Sequence, residues 1–177
     1  QNGIQQVYNQ AHEVPFEVDT LCVLFAVHLH RLLLSKVSRT LVLEMHVAKL
    51  RGRLQGETSH ARFESYIHHL SQPEVLHDLL SEYCVLARQL VLTIERWIDV
   101  SLELVRRLTT DWPLIRETFA PQSDPGLLVQ VSGEAGDLHR GGHSVSILEF
   151  SSGFRVVYKP KSLAIDQHFQ ELLTRSE

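Results

Sequence analysis

Apolar residues recur along the chain at two different spacings, and the change falls near Pro121 to Pro125. Before it the spacing is helical. Val37, Leu41, Met45 and Ala48 form one stripe, and Leu86, Leu90, Ile94, Trp97 and Ile98 form another. A helix period of about 3.6 residues brings such positions to one face, so this region is predicted to be all-helical, with five or six helices up to Phe119. Pro15 precedes a long helix from about Phe16 to Leu54, with Lys36–Ser38 as a candidate break and Gly52 and Gly56 as its end. Ser71 followed by Glu74, with Pro73 between, predicts a capping box, and Asp111 before Pro113 predicts the cap of a separate short helix. The apolar run Leu21 to Leu34 is interrupted by His28, His30 and Arg31 and is shorter than the roughly 20 residues a bilayer crossing takes. It therefore reads as a buried helix, without membrane insertion.

After Asp124-Pro125-Gly126, a turn signal, the period becomes two. Leu127–Ser132, Ser144–Phe150 and Phe154–Lys159 read as strands, and Ser151-Ser152-Gly153 as the hairpin between the last two. In the third strand, Phe154, Val156 and Tyr158 share one face, and Arg155, Val157 and Lys159 the other. Pro160 ends it by offering no ladder donor. Ile165, Phe169, Leu172 and Leu173 then form the stripe of a helix expected to pack on the sheet. The predicted fold is α+β: a helical region over 1–122, then over 123–177 the antiparallel strands and first helix of a kinase-like small lobe.

Composition narrows the function classes. With 44% hydrophobic and 21% charged residues the chain is globular, and its 177 residues bury enough surface to need no disulfide or structural metal. A net charge of -4 supplies no positive field for nucleic acid, which is excluded as a partner. The two cysteines, Cys22 and Cys84, are far apart and suit a reducing cytoplasm. The chain opens on Gln1 and closes on Glu177 in a helical pattern, so it is expected to be a piece of a longer protein.

The candidate chemistry lies between the first two strands. Gly133, Gly136, Gly141 and Gly142 let the backbone take positive φ and turn amide N–H groups toward an anion, as phosphate-binding loops do; the same glycines also suit a plain hairpin loop. The order of elements favours phosphate. Strand, glycine-rich loop, strand, hairpin, strand ending in lysine, then helix is the opening of a kinase small lobe, where the loop covers the nucleotide phosphates and the third-strand lysine reaches them. Lys159 is that lysine, with Lys161 as a second phosphate contact; the alternative is a strand-end lysine facing water. Asp137 and His139, two residues apart in a segment expected to be extended, can project to one side, where the imidazole, with its pKa of about 6.5, exchanges protons near neutrality. Their alternative is a turn aspartate and a surface histidine.

Gly136-Asp137-Leu138-His139-Arg140-Gly141-Gly142-His143-Ser144-Val145 and Tyr158-Lys159-Pro160-Lys161-Ser162-Leu163 resemble the Gly-Asp-x-His-x-Gly-Gly-Arg-Ser-Val and Tyr-Lys-Pro-Arg-Ser-Leu motifs of class II lanthipeptide synthetases. Arg39 to Gly52 and Glu82 to Arg88 are also similar to segments of that family's dehydratase domain. The resemblance implies a lipid-kinase-like dehydratase that uses ATP and Mg²⁺ to phosphorylate Ser and Thr of a ribosomal precursor peptide, leader plus core. It then eliminates phosphate to give dehydroalanine and dehydrobutyrine. Zn²⁺ would belong to a downstream cyclase. By the same resemblance Lys159, with Gly136, Gly141, Gly142, His143 and Lys161, serves ATP phosphate, and Asp137 and His139 serve elimination. His143 and Lys161 stand where the family usually has Arg, so a permanent bidentate clamp becomes a weaker one at both places and a titratable one at His143. The metal ligands and catalytic base of the kinase step would lie beyond Glu177, so residues 1–177 alone are expected to be inactive. A kinase-like phosphotransferase that does not eliminate, and a non-catalytic peptide-binding scaffold, are the alternatives.

The eleven histidines do not predict a metal site. His28 and His30 lie about 200° apart around a helix and His68 and His69 about 100°, whereas helical metal pairs sit three or four residues apart. Glu44 and His46 diverge in the same way, leaving Glu44 a packing or intrahelical role. Lys49, Arg51 and Arg53 form a basic cluster, either a solvated face or a contact for an acidic stretch of peptide. Asp166 and Glu171 are candidates for the carboxylate that pairs with a kinase lysine.

Overall fold

A computed structural model describes residues 2–10, 13–132, 144–160 and 164–174, with residues 165–167 and 170 described by their backbone alone. The fold is α+β. Five helices precede the sheet: α1 (Asn2–Gln10), α2 (Val18–Leu50), α3 (Ser59–Leu70), α4 (Pro73–Glu82) and α5 (Cys84–Phe119). Strands β1 (Leu128–Ser132), β2 (Ser146–Phe150) and β3 (Arg155–Tyr158) follow, then α6 (Ala164–Thr174). The chain divides into two compact units, one of residues 1–26 with 98–177 and one of residues 27–97. The divisions fall inside α2 and α5.

In the first unit the core is built against a sheet. Ser101, Leu104, Val105, Leu108 and Trp112 recur at helical spacing and are buried along one stripe of α5. The inner sheet face presents Leu128, Leu148 and Phe150, all nearly inaccessible, and Trp112 stacks on Phe150 with ring centroids 4.9 Å apart. Phe16, Leu21 and Phe25 are buried too, and the Leu128 amide donates to the Pro15 carbonyl at 2.7 Å, tying the start of the chain to β1. The three strands are antiparallel in the order β1-β2-β3. A bulge at Val129 shifts the β1 register between Leu128 and Gln130. Alternation in β3 follows the expected faces, with Val156 and Tyr158 half-buried and Arg155 and Val157 exposed.

The second unit holds the rest of α2, with α3, α4 and the start of α5. α2 closes in a Schellman arrangement: Gly52, at φ 65°, donates from its amide to the Lys49 carbonyl, and Arg53 donates to that of Ala48. Thr58 caps α3 by accepting from the Ala61 amide at 3.1 Å.

Several expectations are corrected. α2 ends at Leu50 and runs without a break through Lys36–Ser38, because both sides supply helix-forming residues and no glycine or proline intervenes. It is not a buried helix: only Leu21 and Phe25 are buried, while Val23, Val27, Leu34, Val42 and Leu43 are about half exposed or more. By length and composition it is also long and apolar enough to cross a membrane, contrary to the expectation from the interrupted run; His28, His30 and Arg31 leave an 18-residue window with mean hydropathy 1.5. Ser71 does not open α4. It is the C-cap of α3, its hydroxyl donating to the His68 carbonyl, and α4 begins at Pro73 after Gln72 with no side-chain cap. Asp111 caps nothing, because α5 continues through Pro113 to Phe119; the buried stripe ending at Trp112 holds the helix across the missing donor. α6 forms as expected but does not cover the sheet with its described apolar residues: Phe169, Leu172 and Leu173 stand 58%, 65% and 49% exposed.

Candidate functional site

The strand register fixes where the phosphate-directed residues can gather. Ser132, the last residue of β1, pairs with Ile147, which pairs with Val157, while Ser146 pairs with Tyr158. The end of β1, the start of β2 and the end of β3 therefore share one end of the sheet. The hairpin Ser151–Gly153 closes the other, with the Gly153 amide donating to the Phe150 carbonyl at 2.8 Å. Lys159 follows directly on β3 and is exposed, next to the roots from which residues 133–143 leave and return. Gly136, Asp137, His139, Gly141, Gly142, His143 and Lys161 lie outside the described residues.

Lys159 extends the outer face of β3. On that face Arg155 pairs across the ladder with Glu149, its guanidinium 3.1 Å from the carboxylate. Among the described residues Lys159 makes no ion pair, so its ammonium is not consumed by Glu149. Tyr158, one residue earlier, faces inward. The Arg107 guanidinium lies 6.0 Å from its ring centroid and is itself held by Glu103 one turn away on α5, at 2.5 Å. Burial pushes the Tyr158 hydroxyl up from its ordinary pKa; Arg107 opposes this, and Glu103 and Asp111 add to it. The half-buried tyrosine lies beside α5, and the next side chain, Lys159, is exposed. This group was missed at the level of sequence: the four-residue spacing of Glu103 and Arg107 is a signal for an ion pair, but nothing local signals the meeting with Tyr158.

A second concentration of polar groups lies in the other unit. The Tyr83 hydroxyl donates to Glu44 at 2.6 Å, and that bond pushes the Tyr83 pKa up to about 12. Tyr66, the buried residue of this unit, donates to the Leu41 carbonyl at 3.1 Å and has its pKa raised, by burial first and by Glu44 second. Glu44 thus bonds across 39 residues of sequence instead of pairing within its helix. His46 does bond within its helix, its Nδ1 2.8 Å from the Val42 carbonyl. Beside Glu44 opens a groove of about 310 Å³, reached by Arg51, Arg53, His69, Asp78 and Glu82. On α6, Glu171 lies 3.5 Å from His168. Among the described residues no three His, Cys, Asp or Glu side chains gather as a metal centre.

Residues 83–177 match the family described as Domain of unknown function (DUF4135), and this span is more than half of the chain. The chain belongs to the DUF4135 family. DUF4135 is associated with lanthipeptide synthetase-type proteins. The matched span holds α5, the sheet, Lys159 and the whole glycine-rich segment, while Glu44 and every other residue lining the groove precede it. No curated protein matches the chain.

Proposed function

We propose that this DUF4135 chain is the N-terminal part of the dehydratase of a class II lanthipeptide synthetase, working in the cytoplasm on a ribosomal precursor peptide. In this reading the sheet and α6 are the opening of a kinase-like small lobe. ATP phosphorylates a Ser or Thr hydroxyl of the peptide; a base then takes the α-proton, the Cβ–O bond breaks, phosphate leaves and the new double bond gives dehydroalanine or dehydrobutyrine. The observation that carries the reading is the register that puts Lys159 at the sheet end from which residues 133–143 arise. An ammonium with no ion pair among the described residues, at the end of a strand whose Tyr158 lies beside Arg107 of α5, suits a phosphate, which it neutralises as a point charge, with Lys161 and His143 adding positive charge. Gly136, Gly141 and Gly142 bring backbone N–H groups toward the same anion. Asp137 and His139 serve the elimination, where proton removal and charge neutralisation lower the barrier together. Mg²⁺ is held mainly elsewhere in the synthetase in this reading.

The test uses the full-length synthetase and its precursor peptide. Lys159→Ala is expected to weaken ATP binding and abolish dehydration, whereas Asp137→Asn and His139→Ala are expected to accumulate phosphorylated peptide, read by mass spectrometry. Unchanged nucleotide binding in Lys159→Ala would leave a peptide-binding scaffold. Phosphopeptide as the wild-type end product would leave a phosphotransferase that does not eliminate. Residues 1–177 alone are expected to turn over nothing.

A further inference from the structure

The groove beside Glu44 is unusual in its charge. Its lining mixes apolar residues, among them Val47 and Ala48 of α2 and Leu79 of α4, with charged residues of both signs. Arg51 and Arg53 come from the closing turn of α2, where the positive φ of Gly52 folds the chain back between them. Asp78 and Glu82 stand one turn apart on α4. Here neither arginine forms an ion pair or side-chain hydrogen bond among the described residues, and Asp78 has only its neighbour His77, at 3.7 Å. Glu44 is occupied, because it accepts the Tyr83 hydroxyl. The groove therefore offers two guanidiniums from the closing turn of α2, two carboxylates one turn apart on α4, and apolar lining residues.

We propose that this groove docks a short peptide segment of mixed charge, with a carboxylate on Arg51 and Arg53, an apolar side chain against Val47, Ala48 and Leu79, and an ammonium or guanidinium on Asp78 and Glu82. An all-acidic strand would meet the α4 carboxylates, and a lone anion would leave the apolar lining exposed to water; an occupant carrying both charges and an apolar residue complements all three sets of lining residues. Planar guanidiniums recognise a carboxylate with paired N–H donors, which gives direction to the bound segment. The identity of the peptide as the precursor rests on the reading above, while the docking chemistry does not.

The probe is a fluorescein-labelled peptide with the core Glu-Leu-Leu-Lys, titrated into the full-length protein by anisotropy without nucleotide. Saturable binding is expected. Replacing the peptide's Glu by Gln, or Arg51→Gln with Arg53→Gln in the protein, should each weaken binding about tenfold, and together by little more than either alone. Replacing the peptide's Lys by Gln should couple in the same way to Asp78→Asn with Glu82→Gln. These positions are exposed, so thermal unfolding checks that each variant folds as the parent does. Absence of saturable binding overturns the proposal, as does binding indifferent to the arginines or full displacement by inorganic phosphate alone. Peptide binding with normal coupling in a protein that binds no ATP would keep the groove and remove the dehydratase reading; ATP binding without peptide binding would do the reverse.

Discussion

The two units are both mainly helical, yet they bury their residues in different ways. In the first, α5 lays a stripe from Ser101 to Trp112 in the core, and the sheet contributes Leu128, Leu148 and Phe150 to that core. In the second, Tyr66 alone is buried among the described residues, and Val42, Leu43, Phe63, Ile67 and Val85 are about half exposed or more. A sheet face is a continuous apolar surface on which a helix can bury a wide stripe, whereas α3 and α4 are short and meet their neighbours along narrow ridges. The second unit is held instead by directed bonds: Tyr66 to Leu41, Tyr83 to Glu44, Arg62 to the Glu57 carbonyl at 2.8 Å, and the caps at Thr58 and Gly52. Apolar packing dominates one region and polar connections position the other. That difference also leaves room for a charged groove, because a tightly packed interior would have excluded it.

The sharpest test of the contrast is Trp112→Ala, which removes the ring stacked on Phe150 and should cost about 3–5 kcal/mol in a urea titration. A loss below about 1 kcal/mol would mean that the sheet does not rest on α5 as described. Next is Gly126→Ala. At φ 75° this residue enters the strand region with the Ser151 hydroxyl only 2.0 Å from where a Cβ would stand, so the change should cost about 1–3 kcal/mol by the same titration. In the polar unit the effect is smaller and pH-dependent. The folded state raises the Tyr83 pKa from 10.0 to about 12, so it holds the proton more tightly than the unfolded chain. That stabilisation is full below pH 10 and fades as pH rises through about 12. Tyrosinate absorbance should show this late-titrating group in the parent and lose it in Tyr83→Phe; a Tyr83 titrating at its ordinary value would break the link to Glu44. Last comes Leu50→Ser, at a position 89% exposed, which should shift unfolding by no more than about 0.5 kcal/mol. A larger loss would mean that the second unit depends on apolar burial after all.

The strands and their faces were legible because period-two alternation is local: Arg155 and Val157 had to face away from Val156 and Tyr158 whatever lay around them. The α2 terminus was legible only to within a few residues: a left-handed closing residue favours glycine and Gly52 takes that place, but the helix stops at Leu50 and not at the expected Leu54. Capping was not. Ser71 and Asp111 carry the right side chains, but a cap forms only where the helix ends, and the packing of Trp112 carried α5 past Asp111. The position of Lys159 at the end of β3 could be read from sequence, while its nearness to the roots of residues 133–143 needed the strand pairing. Glu44 was assigned to its own helix because sequence spacing reveals neighbours only three or four residues away, and Tyr83 lies 39 residues on.

Sequence alone determined the α+β class, the order of elements and the lysine at the strand end, since each follows from dihedral preference and side-chain period over a few residues. Only the tertiary structure decided that α2 would stay largely uncovered, that Arg107 would lie over Tyr158, and that Arg51 and Arg53 would share a groove with Asp78 and Glu82. Those outcomes depend on which surfaces meet after the chain folds back on itself, and contacts between distant residues are not encoded in any local period.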